Sequence, residues 1–144
     1  MQSSKQETFT QLPNTTQYIP KTTYISITAL TNSPFYSCRE YEDAKYYGEI
    51  KENMRNGYGA MTYHNGRYYE GEWKQDFRHG RGYEHYLNKN IYEGEFAQGK
   101  AHGKGVYKWS NGEIYDGEWK EGLKHGDGVW KGSVYKQEYT ETHT

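Results

Sequence analysis

The 144-residue chain holds one cysteine, three prolines and no long apolar run, and each scarcity excludes something. A lone thiol, Cys38, cannot close an internal disulfide, so the chain is compatible with a reducing compartment. With no histidine beside it, its default reading is an inert thiol. No stretch approaches the roughly 18 apolar residues of a membrane span, and the opening Met1-Gln2-Ser3-Ser4-Lys5 carries no apolar signal segment. The expectation is a soluble, cytoplasmic protein. A formal charge of -1 supplies no overall field to gather nucleic acid or an anionic membrane. Hydrophobic residues make up 33% of the chain, thin material for a compact globule of this length.

What is abundant is tyrosine and glycine, 17 of each. The glycines all fall between Gly48 and Gly132, whereas Pro13, Pro20 and Pro34 precede them, so the chain changes character near residue 45. Residues 1–45 read as an extended arm, rich in Gln, Ser, Thr and Asn over its first half and unable to order itself alone. Within the arm, Ile25, Ile27 and Ala29 alternate with Tyr24, Ser26 and Thr28, which predicts a strand at 22–30 able to pair with a sheet edge of this chain or of a partner. Residues 136–144 read as a C-terminal tail.

Between arm and tail the sequence repeats. Tyr69-Glu70-Gly71-Glu72-Trp73 returns as Tyr92-Glu93-Gly94-Glu95-Phe96 and Tyr115-Asp116-Gly117-Glu118-Trp119, a constant 23 residues apart, with a weaker first copy in Tyr46-Tyr47-Gly48-Glu49-Ile50. The pairs Gly57/Gly59, Gly80/Gly82, Gly103/Gly105 and Gly126/Gly128 keep the same period. Four units follow, 46–68, 69–91, 92–114 and 115–135. Within a unit Tyr69, Gly71 and Trp73 alternate with Glu70, Glu72 and Lys74, the period of a half-buried strand with one aromatic and one charged face. Turn-like residues from Gln75 to Gly80 then separate it from a second strand, and Asn65-Gly66 or Asn111-Gly112 leads into the next unit. Each unit is therefore predicted to be a β-hairpin, and glycine on the aromatic face leaves bare backbone for a neighbouring ring to lie on.

The residues Tyr92-Glu93-Gly94-Glu95-Phe96, Gly99-Lys100, His102-Gly103-Lys104-Gly105, Tyr107 and Asn111-Gly112 closely resemble the MORN (membrane occupation and recognition nexus) repeat family. The resemblance spans about two thirds of the chain. Departures fall at the ends, where Ile50 stands for the usual tryptophan, Asn56 for the usual histidine, and Gly132-Ser133-Val134 for the last aromatic and turn; terminal repeats are often atypical because they cap an array. The resemblance implies an all-β fold, an elongated, twisted antiparallel sheet with a groove.

Several patterns suggest chemistry and fail on geometry. His79, His102 and His125 recur at one position, but equivalent sites two strands apart are about 10 Å from each other, too far to share one zinc at about 2 Å each. A structural hydrogen-bonding role suits them better. Gly99-Lys100-Ala101-His102-Gly103-Lys104-Gly105 superficially resembles a phosphate loop, yet Gly105 stands where Ser or Thr belongs and the glycine spacing is one short. Glu49, Glu72, Glu95 and Glu118 form a ladder and not a convergent acid–base pair. No catalytic, cofactor or metal site is expected, and no enzyme activity. Acids and bases balance across 46–135, but Arg55, Arg78, Arg81, Lys100, Lys104 and Lys124 gather near the turn inside each unit, predicting one basic long edge.

The expected function is that of a non-enzymatic scaffold gripping a segment of another protein in an aromatic groove of Trp73, Tyr86, Phe96, Tyr107, Trp109, Trp119 and Trp130, with the arm as a second contact. The resemblance implies a place in a large cytoskeletal assembly, since the family occurs in radial-spoke and other proteins of the ciliary axoneme and in junctional scaffolds. The alternative is a peripheral adaptor whose basic edge reads phosphoinositides.

Overall fold

The computed structural model describes residues 27–132 and 138–143. They form one open antiparallel sheet of ten strands, each paired with its neighbours in sequence. The strands are β1 Tyr36–Glu40, β2 Ala44–Lys51, β3 Met54–Tyr63, β4 Tyr68–Lys74, β5 Phe77–His85, β6 Ile91–Ala97, β7 Lys100–Lys108, β8 Ile114–Lys120, β9 Leu123–Lys131 and β10 Glu138–His143. One short helix, α1 (Ile27–Asn32), precedes them.

Each repeat is a hairpin closed by two residues. Glu52-Asn53, Gln75-Asp76, Gln98-Gly99 and Glu121-Gly122 all have positive φ, the conformation of the tight turn whose twist matches that of the flanking strands. The turn is therefore shorter than the run from Gln75 to Gly80 suggests, and Phe77 to Gly80 belong to β5. Gly80 marks a bulge instead: pairing slips between Gly71 and Trp73, and Gly80 adopts φ +77. Over that glycine lies the Glu72 side chain, which accepts a hydrogen bond from the Arg81 backbone N–H at 2.9 Å. Glu49, Glu95 and Glu118 lie likewise over Gly57, Gly103 and Gly126, so the glutamate ladder is structural.

Between repeats, the Tyr63, Tyr86 and Trp109 N–H groups bond to the carbonyls of Arg67, Asn90 and Glu113. Asn65, Asn88 and Asn111 side chains each accept the N–H two residues on, which fixes the same loop three times. Hairpin tips also dock on the preceding repeat, with the N–H groups of Asp76, Gly99 and Gly122 donating to the carbonyls of Arg55, Arg78 and Ala101.

The sheet continues beyond the four repeats into segments read from sequence as arm and tail. In β1, Ser37 pairs with Gly48 as Gly59 pairs with Gly71, so β1 is the second strand of an incomplete leading repeat. In β10, Glu141 pairs with Gly128 and His143 with Gly126, as Gly117 pairs with Gly105 and Trp119 with Gly103. This makes β10 the first strand of an incomplete trailing one. The strand expected at 22–30 is absent from its described part, where Ile27–Asn32 is helical; residues 22–26 lie outside the described residues. The helix buries Leu30 against Tyr36, Tyr47, Ala60, Tyr68 and Tyr83, and Pro34 follows its end, as the conformational limits before proline favour.

That cluster also corrects the expectation of one wholly charged face. The face opposite the ring-bearing one carries a second apolar core at its N-terminal end, because β1 and α1 bring Tyr36 and Leu30 to it. Glu70, read as solvent-facing, is fully buried there.

Candidate functional site

The ring-bearing face is organised by tyrosine over glycine. Tyr46, Tyr69, Tyr92 and Tyr115 are almost wholly buried, each lying over the cross-strand glycine pair of its own hairpin: Gly48/Gly59, Gly71/Gly82, Gly94/Gly105 and Gly117/Gly128. The ring comes from two residues earlier on the same strand. The first three donate their hydroxyls to the carbonyls of Glu49, Glu72 and Glu95 at 2.8–2.9 Å. Burial pushes the Tyr46 and Tyr69 phenols well above their ordinary value of 10, so both remain donors.

Between successive tyrosines stands a wedge from the next hairpin. Trp73 meets Tyr46 and Tyr69 edge-to-face at 5.4 and 5.2 Å. Phe96 meets Tyr69 and Tyr92 at 5.2 and 5.0 Å. Trp119 meets Tyr92 and Tyr115 at 5.4 and 5.7 Å. The Trp73 and Trp119 indole N–H groups also donate to the Gly59 and Gly105 carbonyls, each at 3.1 Å. The edge-to-face arrangement sets the positive ring edge against the negative ring face. One continuous zigzag of rings thus joins all four hairpins. His143 extends it, meeting Tyr115 at 5.7 Å in the position a fourth wedge would take.

This placement divides the seven expected groove residues. Trp73, Phe96 and Trp119 are buried and serve as internal wedges. Tyr86, Tyr107, Trp109 and Trp130 are partly exposed and form a shelf along the C-terminal half of the face. Tyr86 stacks on Tyr107 at 5.8 Å, Tyr107 leans on Trp109 at 4.7 Å, and Trp109 stacks on Trp130 at 4.6 Å. Asn90 fixes the shelf by donating to the Tyr107 hydroxyl at 3.1 Å and accepting the Ser110 N–H at 2.9 Å.

Nor do the six basic residues line one edge. Arg55 and Lys124 lie on the ring face, opposite Ile50 and Trp119 in the pairing, and Arg78 lies there opposite Trp73. The Arg55 guanidinium sits 4.9 Å from the Trp73 ring, and Arg78 5.7 and 5.6 Å from Tyr69 and Phe96. Arg81 and Lys104 pair with Glu95 and Glu118 and point to the opposite side, while Lys100 is exposed at a hairpin tip. Arg55 is anchored by Asp76 at 3.1 Å. Burial works to raise the Asp76 carboxyl, but hydrogen bonds from Arg55 and its charge outweigh this and hold it below its ordinary 3.8.

One carboxylate interrupts the face. Glu84 occupies the position held by Met61, Tyr107 and Trp130 in the other hairpins; it is buried and paired with both Arg67, at 3.0 Å, and Arg78. Nothing in the sequence pattern marks it as inward-facing except its parity with Gly82.

The repeat, hairpin and bulge geometry agree with one family. The model of the MORN repeat matches residues 46–66, 69–90, 92–114 and 115–133. The chain belongs to the MORN repeat family. A search of curated proteins finds no match. MORN repeats are interaction repeats for protein or membrane lipid and are not catalytic. Among the described residues of this MORN array, no three His, Cys, Asp or Glu side chains gather as a metal would require. Among the described residues the His79, His102 and His125 imidazoles meet no hydrogen-bond partner, and each stands directly before the positive-φ glycine of its bulge. No described helix is long and apolar enough to cross a membrane.

Proposed function

We propose that the chain is a non-enzymatic MORN scaffold that holds a segment of another protein against the shelf of Tyr86, Tyr107, Trp109 and Trp130. One observation carries this reading: once the zigzag of wedges is complete, these four stacked rings remain partly exposed. Large rigid rings with polar neighbours are what binding hot spots are made of. Family occurrence supports a cytoplasmic, cytoskeletal setting, the ciliary axoneme and its radial spokes foremost, with the residues before α1 as a second contact. The phosphoinositide reading has less support, because Arg55, Arg78 and Lys124 lie among rings and leave no continuous basic edge.

Pull-down from native extract tests the choice of surface. Replacing both Trp109 and Trp130 by alanine should abolish capture of the partner by a still-folded protein at any salt, each lost anchor costing about 2 kcal/mol. The pair Lys100→Ala with Lys104→Ala should cost about 1 kcal/mol or less and fade as salt rises. If the lysine pair is the more damaging and vesicles carrying phosphoinositides sediment the wild type, the ring-shelf reading fails.

A further inference from the structure

The ring face carries a cation at the same position in three hairpins, and only the last lacks a carboxylate. Arg55 is held by Asp76, contributed by the turn of the next hairpin. Arg78 is held by Glu84 and by the Gly99 carbonyl, at 2.7 Å, again from the next turn. Lys124 has no such neighbour among the described residues, where β9 pairs with β10. Its ammonium instead lies 4.7 Å from the ring centres of both Tyr115 and Trp130 and 5.5 Å from that of Trp109. Among the described residues no carboxylate comes within ion-pair distance of it.

We propose that this end of the face takes an acidic peptide, with one carboxylate seated on Lys124 and an apolar neighbour laid across Trp109 and Trp130. The inference rests on the ring-shelf reading above and adds the chemistry of the occupant. Charge complementarity carries it. The peptide carboxylate does for Lys124 what Asp76 does for Arg55, beside rings that exclude water and so strengthen the pair. A bare phosphate would satisfy the ammonium but leave the stacked indoles uncovered.

Panning random phage-displayed dodecapeptides on the full-length chain tests this. Selected sequences should place Asp or Glu beside an aromatic or aliphatic residue, and a synthetic hit should lose about tenfold in affinity when its acid becomes the amide, consistent with a charge-assisted contact. The loss should shrink as salt rises. Lys124→Gln should abolish the discrimination, Lys124→Arg should keep it, and Lys124→Glu should turn selection toward Lys and Arg. Near-UV circular dichroism establishes that each variant is folded. Hits without acidic enrichment, an absence of hits, or discrimination that survives Lys124→Gln would overturn the proposal. Neutral hits that still need Trp109 would leave the ring-shelf reading standing. Lys124-dependent binding to phosphoinositide vesicles with no peptide hits would remove both.

Discussion

The tyrosine-over-glycine contact can be broken with one methyl group. Gly105 does not need left-handed backbone, so its lack of a side chain must be explained by space. A Cβ there would stand 2.5 Å from Tyr92 Cε1 and closer still to Cζ and Oη. The ring cannot step aside freely, because it is 1% exposed and clamped edge-on by Phe96 and Trp119 at 5.0 and 5.4 Å. Displacing it weakens two ring contacts and the 2.8 Å bond from its hydroxyl to the Glu95 carbonyl. With overpacking strain added, Gly105→Ala should cost about 3 to 5 kcal/mol, lowering the thermal midpoint by about 10 to 20 °C. Gly122→Ala is the control. Its Cβ meets nothing within 4 Å, and only its φ of +86 is penalised, about 1 to 2 kcal/mol. Calorimetry of Gly105→Ala in the wild-type and Tyr92→Leu backgrounds isolates the cause. If the ring is responsible, the penalty should largely vanish in the second background. An equal loss in both would refute the reasoning and place the cost in the backbone.

Three further outcomes follow from the same geometry. Phe96 is the one wedge in the zigzag without a donor, so Phe96→Trp should let an indole N–H reach the Gly82 carbonyl and stabilise the array by about 1 kcal/mol, read as a raised midpoint. Glu84→Gln leaves Arg67 and Arg78 without their shared carboxylate and should destabilise by about 2 kcal/mol in urea titrations, tempered by the partial exposure of both guanidiniums. His85 stacks on Tyr68 at 5.0 Å; burial, then the nearby Lys89 charge, hold its pKa below the ordinary 6.5. The unfolded chain therefore binds the proton more readily, so stability should decline as pH falls through about 6.5, and His85→Phe should flatten that decline.

The sequence made the hairpins and their phase legible because 23-residue spacing and strand alternation are local signals. It hid the half-repeats at both ends. Ser37 lies 22 residues before Gly59 and His143 lies 24 after Trp119, a one-residue slip each way, and Ser37 and Glu141 stand where the pattern has glycine. The ring-face cations were missed for a different reason. Reading Gln75 to Gly80 as turn stops the alternation before Arg78, whereas a two-residue turn carries it through and sets Arg78 across from Trp73. The candidate site was legible as a set of rings but not as two populations. Trp73 and Trp119 close a Tyr-x-Gly-x-Trp run and are buried as wedges, whereas Trp109 and Trp130 follow the glycine pair and stay partly exposed. Which of the two positions is covered is decided by contacts with a neighbouring hairpin, not by the residue type.

The meander order has a mechanical consequence. Because each strand pairs only with its sequence neighbours, tension applied between β1 and β10 acts on one outer strand at a time, and its backbone bonds open in succession while the rest stay intact. The load that each hairpin resists is then set by what ties it to the next: the ladder between them, the docked hairpin tip and the wedge ring. Every hairpin released would lengthen the molecule by about 70 Å, the difference between 23 extended residues and two strand widths. Stretched between two anchored partners, such a molecule would pay out length in near-equal steps at low force and rewind when the tension drops.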